Sequence, residues 1–236
     1  MAKKKRKRNV ESEKKPNKNL LYAAIAVVAV IIIALIWSFF GTSPDVPEEK
    51  LPTSGKYLKI NEPSTYEPGK VKIIEYFKFN CPLCYSLNQR MPELEEKYGD
   101  QLEVTYRPML WVTQPKDLPF RKSNEAYIIA KRMGMGDEMK SALFDAMFMD
   151  GKDLSDVAVL EDIASSIGLG DDFATALENG EAKDEAQEYI NLAQPLVSWT
   201  PTIIINGNLK FDPSLTGENV DQMVANMDTI IGSLLS

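Results

Sequence analysis

VKIIEYFKFNCPLC, residues 71–84, holds both cysteines of the chain, two residues apart, directly behind a β-branched and aromatic run. Read as a strand, it puts Val71, Ile73, Phe77 and Phe79 on one face with Glu75 among them. Lys72, Ile74, Tyr76 and Lys78 take the other face. Pro82 then stands where a helix would open, a position that suits proline because the N–H it lacks would be unpaired there anyway. The spacing places Cys81 at the N-cap and Cys84 three residues into the helix. A sulfur at an N-cap faces free backbone N–H groups and the positive end of the helix dipole, and both favour thiolate over thiol. Cys81 is therefore expected to be exposed and reactive near neutral pH. Cys84, one turn on, is within reach to close a disulfide and should react more slowly. A strand, a tight turn and a helix opening on C-x-x-C is the arrangement that thiol–disulfide exchange needs.

Other uses of two cysteines fit less well. A structural zinc site wants four Cys or His ligands, and this chain has two Cys and no His. Covalent haem would need His after the second cysteine, where Tyr85 stands. A purely structural disulfide stays open, although so short a loop constrains the unfolded chain little. Glu75 also has two readings. A carboxylate on an otherwise apolar strand face is costly unless it is useful or paired. It either takes the Cys84 proton during exchange, or it pairs with a lysine or reaches water at the strand edge.

The net charge of −7 hides an asymmetry. Residues 1–19 carry nine Lys/Arg against two Glu, and the rest of the chain holds 18 basic against 32 acidic residues. A basic head could suggest nucleic acid, but the apolar run directly behind it argues otherwise. Leu20–Phe40 is 21 residues without a charge. As a helix it would be roughly 31 Å long, about the thickness of a bilayer's hydrocarbon core. We read residues 1–19 as a cytoplasmic tail, 20–40 as a transmembrane anchor with Trp37 near its far interface, and everything beyond as extracytoplasmic. A cleaved signal peptide is the competing reading, weakened by the long apolar run and the lack of a small-residue cleavage site. Residues 41–55, with three prolines, read as a linker.

In the remainder, 56–60 reads as a short strand and the CPLC helix as running to about Tyr98, kinked by Pro92 near Asn88. Leu102–Arg107 is a strand that completes a βαβ unit. Helices are expected near 120–133, 137–149, 156–167 and 171–193. Met133, Met135, Met139, Met147 and Met149 in this region form either core filler or an adaptable apolar surface. Ile203–Ile205, an Asn206-Gly207 hairpin and Leu209–Phe211 come next. Thr216 is expected to cap a final helix.

This order, with KIIEYFKFNCPLCY, an insert of about 80 residues and WTPTIIINGNLKFDP, resembles the DsbA family of extracytoplasmic thiol–disulfide oxidoreductases over about residues 56–236. The fold implied is α/β, a thioredoxin-like fold with an inserted helical domain at about 113–194. The resemblance implies Cys81 as nucleophile, Cys84 as resolving thiol, Glu75 as the acid beneath them and Pro201 as a cis-proline. Thr200, Pro82 and Leu83 would then contact substrate. It further implies exported cysteine-containing proteins as substrates and a membrane thiol oxidase or quinone reductase, DsbB- or VKOR-like, as redox partner. No cofactor, metal or nucleic acid is expected. Two positions depart from the family. Leu83 stands where members often carry His, which implies a higher Cys81 pKa and a less oxidising couple. Thr200 stands where the oxidases usually carry Val and related isomerases carry Thr. The sequence thus favours an oxidase, with a reductase or isomerase, and a non-catalytic tethered binding module, as the alternatives.

Overall fold

The computed structural model describes Tyr22, residues 27–32 and residues 49–236. The chain divides into two units, Met1–Val46 and Pro47–Ser236. In the first unit, Tyr22 and residues 27–32 are helical and exposed. The rest of the expected Leu20–Phe40 span lies outside the described residues. Among the described residues, no helix is long and apolar enough to cross a membrane.

The second unit is built on a five-stranded sheet of β1 (Leu58–Lys59), β2 (Val71–Phe77), β3 (Leu102–Pro108), β4 (Thr202–Ile205) and β5 (Leu209–Phe211), in the order β1-β5-β4-β2-β3. β2 runs parallel to β3 and antiparallel to β4, so it is an interior strand with every residue paired to at least one neighbour. The β2–β3 link is helix α1, Pro82–Tyr98, which continues through Pro92. Its buried Leu87, Met91 and Leu94 meet Val71 and Ile73 of β2 and Met223, Met227, Ile230 and Ile231 of the last helix, Val220–Leu235. Each such side chain, fully buried, contributes roughly 1.5–3 kcal/mol. The opposite sheet face carries Tyr76 and Ile204 against Met109 and Val197.

The insertion comprises α2 (Arg121–Arg132), α3 (Gly136–Phe148), α4 (Val157–Ser166), α5 (Asp171–Glu178) and α6 (Lys183–Ala193). The expected helix over 171–193 is thus two helices. The break falls at Asn179-Gly180, where glycine takes φ +67°, a conformation that ends a helix. The methionines do not form one surface: Met139 is fully buried, while Met133 and Met149 are exposed. Beyond β5 lie a short helix α7 (Pro213–Thr216), capped by Asp212, and the last helix α8 (Val220–Leu235), capped by Asn219. Thr216 ends one helix rather than starting the other, because Gly217 at φ +86° turns the chain between them. Residues 49–57 run along α8: Thr53 N–H donates to Ser233 Oγ at 2.7 Å, and Lys56 N–H to Asn226 Oδ1 at 2.7 Å.

Candidate active site

The end of β2 delivers the chain into α1 with Cys81 at the N-cap (φ −105°, ψ 114°) and Pro82 at the first helical position. The Cys81 sulfur accepts the backbone N–H of Cys84 at 3.3 Å. Phe77 and Phe79 fix this approach from below. Their rings lie edge to face 5.1 Å apart, and both pack on Phe144 of α3, at 5.6 and 5.2 Å. Aromatic contacts of this kind are worth about 0.5–1.5 kcal/mol each beyond their buried area. On the other flank, Lys78 Nζ donates to both carboxylate oxygens of buried Asp117, at 3.0 and 3.2 Å. Asn80 Nδ2 and the Trp111 N–H also donate to Asp117, tying the loop that enters the insertion to the residues just before Cys81. The sequence reading missed Asp117, since nothing local pairs residues so far apart in the chain.

The two sulfurs have opposite environments. Cys84 is wholly buried and its thiol is pushed well above the ordinary range, first by burial and then by its bond and charge interaction with Cys81. Cys81 is lowered to about 6. The Cys84 thiol donating to its sulfur acts most strongly, and burial opposes; the Thr200 side chain and the N–H groups of Cys84 and Leu83 then add to the fall. As a thiol, Cys81 donates to the Thr200 carbonyl oxygen at 3.3 Å. Cys81 is less open than expected: only 8% of it is exposed, because the Thr200-Pro201 loop lies against it. The Thr200–Pro201 peptide is cis.

A groove of about 440 Å³ runs beside the sulfur, lined by Cys81, Pro82, Leu83, Ser86, Trp199, Thr200, Pro213 and Glu218. Pro82, Leu83 and Thr200 therefore share one wall-and-floor surface with Cys81, and Trp199, 47% exposed, adds an aromatic rim that the sequence reading did not single out. Glu75 lies on the interior strand and is 3% exposed, so it does not reach water at a sheet edge. Burial raises its carboxyl to about 7, opposed by Lys140 and reinforced by Cys81 and Glu95. A carboxyl poised there can give or take a proton at neutral pH.

The Cys81 value is directly testable. In the reduced protein, alkylation rate against pH should show a midpoint near 6. Leu83→His should move it lower, since an imidazolium beside the sulfur favours the thiolate. A wild-type midpoint near the free thiol value of about 8.5 would refute the N-cap account.

A family model described as thioredoxin matches residues 67–226. The chain is 26% identical over 216 residues to the thiol:disulfide interchange protein DsbA of Pseudomonas syringae pv. tomato, covering 88% of this chain and 94% of that one. It is 22% identical over 204 residues to DsbA of Pseudomonas aeruginosa, covering 85% and 89%. Among solved structures, a variant of Pseudomonas aeruginosa DsbA superposes with a TM-score of 0.63 at 21% identity over 75% of this chain and 95% of that one. The oxidoreductase DsbA of Xylella fastidiosa gives 0.61 at 22% identity, over 78% and 97%.

Proposed function

The chain belongs to the thioredoxin family, and we propose that it introduces disulfides into exported proteins from a position tethered outside the cytoplasm by residues 20–40. It is a protein-disulfide oxidoreductase of the DsbA kind. The direction of the reaction, the tether and the residue roles are our reading. The observation that carries it is the asymmetry of the sulfurs: an acidic Cys81 facing the groove and a buried, strongly basic Cys84 beneath it.

In the oxidised enzyme a substrate thiolate attacks Cys81 Sγ. The Cys81–Cys84 bond breaks, and Cys84 leaves with its electron pair and takes a proton from Glu75. A second substrate thiolate then attacks the substrate sulfur of the mixed disulfide and expels Cys81 as thiolate. The substrate is oxidised by two electrons and the enzyme reduced by two. A low Cys81 pKa favours this direction, because it stabilises the leaving thiolate and the reduced enzyme, whereas the disulfide does not titrate. That advantage is full above the ordinary thiol pKa and fades as pH falls through about 6. Thr200, Pro201, Pro82 and Leu83 hold the substrate chain against Cys81. Electrons leave to a membrane thiol oxidase or quinone reductase.

Leu83, which lacks the positive charge of a histidine beside the sulfur, and Thr200, the residue related isomerases carry before the proline, favour a second reading, a reductase or isomerase. One experiment on intact, wall-stripped cells decides between them. Protease added outside should degrade the domain while it stays membrane-bound, and alkylation trapping should find Cys81 and Cys84 mainly as a disulfide. A protected domain refutes the tether. A mainly reduced pair refutes the oxidase and selects the second reading.

A further inference from the structure

Glu75 and Tyr106 are register partners on adjacent parallel strands, so their side chains stand side by side on one face of the sheet. Over that face, from the helical insertion, comes Lys140 of α3. It is only 5% exposed, and its Nζ lies 2.8 Å from the centroid of the Tyr106 ring. A cation so deeply buried needs an anion or a π face. The carboxylate on its own helix, Asp137, is 3.7 Å away, but its side chain is 80% exposed and leans to water. The remaining charged neighbours are Glu75 on β2 and Glu95 on α1, and the Tyr106 hydroxyl already donates to Glu95 at 2.7 Å. Tyr127 of α2 packs in the same region. Glu95, Tyr106, Tyr127 and Asp137 line a cavity of about 600 Å³ between β3 and the insertion, so water comes within one side chain of the buried charges.

We propose that Lys140 is the positioning residue for Glu75: the insertion supplies the cation that keeps this carboxyl able to accept the Cys84 proton. This rests on the proposed role of Glu75 as the proton acceptor. In the resolving step, the Cys84 thiol passes its proton to the Glu75 carboxylate. The Cys84 thiolate attacks Cys81 Sγ, the new Cys81–Cys84 bond forms, and the substrate sulfur departs as thiolate with the electron pair of the broken bond. Burial drives Glu75 towards the protonated state, which can give a proton but cannot accept one in this step, and the Lys140 ammonium opposes that drive. Burial likewise lowers the Lys140 pKa, while Glu75, Asp137 and Glu95 hold it up. The insertion, which contributes no residue to the groove lining, is thereby part of the exchange chemistry.

The test is a pH profile of the resolving step on the full chain, using glutathione disulfide to load Cys81 in single turnover. Lys140→Met should move the midpoint up by at least about one pH unit and slow resolution about five- to tenfold at neutral pH. Lys140→Gln should do the same if the apolar variant fails to fold, and Lys140→Arg should leave the midpoint in place. A lowered thermal midpoint in Lys140→Met or Lys140→Gln with an unmoved pH profile overturns the proposal, for the lysine is then only a structural filler. Glu75→Gln separates the two layers. If it leaves the wild-type profile intact, Glu75 is not the acceptor and both readings fall. If it flattens the profile while the lysine variants do not shift it, only the role of Lys140 falls.

Discussion

Cys84→Ser should leave Cys81 covalently locked to its substrates and reduce turnover to background. The reason lies in where the sulfurs sit. Cys81 keeps its N-cap position, its bond to the backbone N–H of residue 84 and its place in the groove, so it still exchanges with substrate disulfides. What is lost is the sulfur one turn along the helix, which alone can attack Cys81 from inside the fold. A serine hydroxyl is neither acidic enough nor nucleophilic enough to replace it. Cells carrying Cys84→Ser should therefore accumulate high-mass adducts that collapse on adding reductant. Cys81→Ser and the double variant should show none. Absence of adducts from Cys84→Ser, with Cys81 still alkylatable, would mean that the cysteines do no exchange and that a tethered binding module is the better description.

That expectation was legible from the sequence because every element in it is local. Pro82 after Cys81 fixes the N-cap, and alternation along Val71–Phe77 fixes which face Glu75 shares. Asn206 and Gly207, at φ 47° and 80°, make the turn between β4 and β5 that their dipeptide announces. A side chain at Gly207 would also meet the Pro63 carbonyl at 2.5 Å, so shape and backbone agree there. The misreadings come from elsewhere. The single helix expected over 171–193 overlooks a phase slip: buried Phe173, Ala176 and Leu177 of α5 and buried Ala186, Tyr189, Ile190 and Ala193 of α6 would fall on different sides of one continuous helix. Thr216 is as good a cap by type as Asn219, and only the turn at Gly217 decides between them. Lys140 had a local signal that went unused: it sits on the same stripe as Leu143, Phe144 and Met147, three, four and seven residues on. A lysine on an apolar stripe asks for a partner. That it comes to rest on the Tyr106 ring, beside Glu75 in the sheet register, emerges only from the pairing of β2 with β3 and the docking of α3.

Replacing both members of that buried pair, Glu75→Leu with Lys140→Met, should make the protein more stable and a poor catalyst. Burying a carboxylate and an ammonium together costs several kcal/mol per ion, and their attraction returns it only with good geometry and further hydrogen bonds. Here the lysine rests on a tyrosine ring, and the carboxyl is raised to about 7, which records a net penalty on its charged form. Linkage sets the sign. A carboxyl whose pKa is higher folded than unfolded binds more protons in the native state, so its contribution to stability is fully present below about 4.5. It is lost as pH rises through about 7. Lys140, lowered by burial, adds a second penalty wherever it is held charged. Apolar replacements of similar size should therefore raise the unfolding free energy at neutral pH by about 1–4 kcal/mol. They should also remove the fall in stability between about pH 4.5 and 7, as read by denaturant titration of the reduced chain at several pH values. Glu75→Leu alone should gain less, because it strands the lysine without its anion. A double variant less stable than wild type would mean that the pair fastens α3 to the sheet. A more stable but slow enzyme would instead mean that the fold carries a buried charge pair at a cost, and that the return on it is a proton acceptor beneath Cys84.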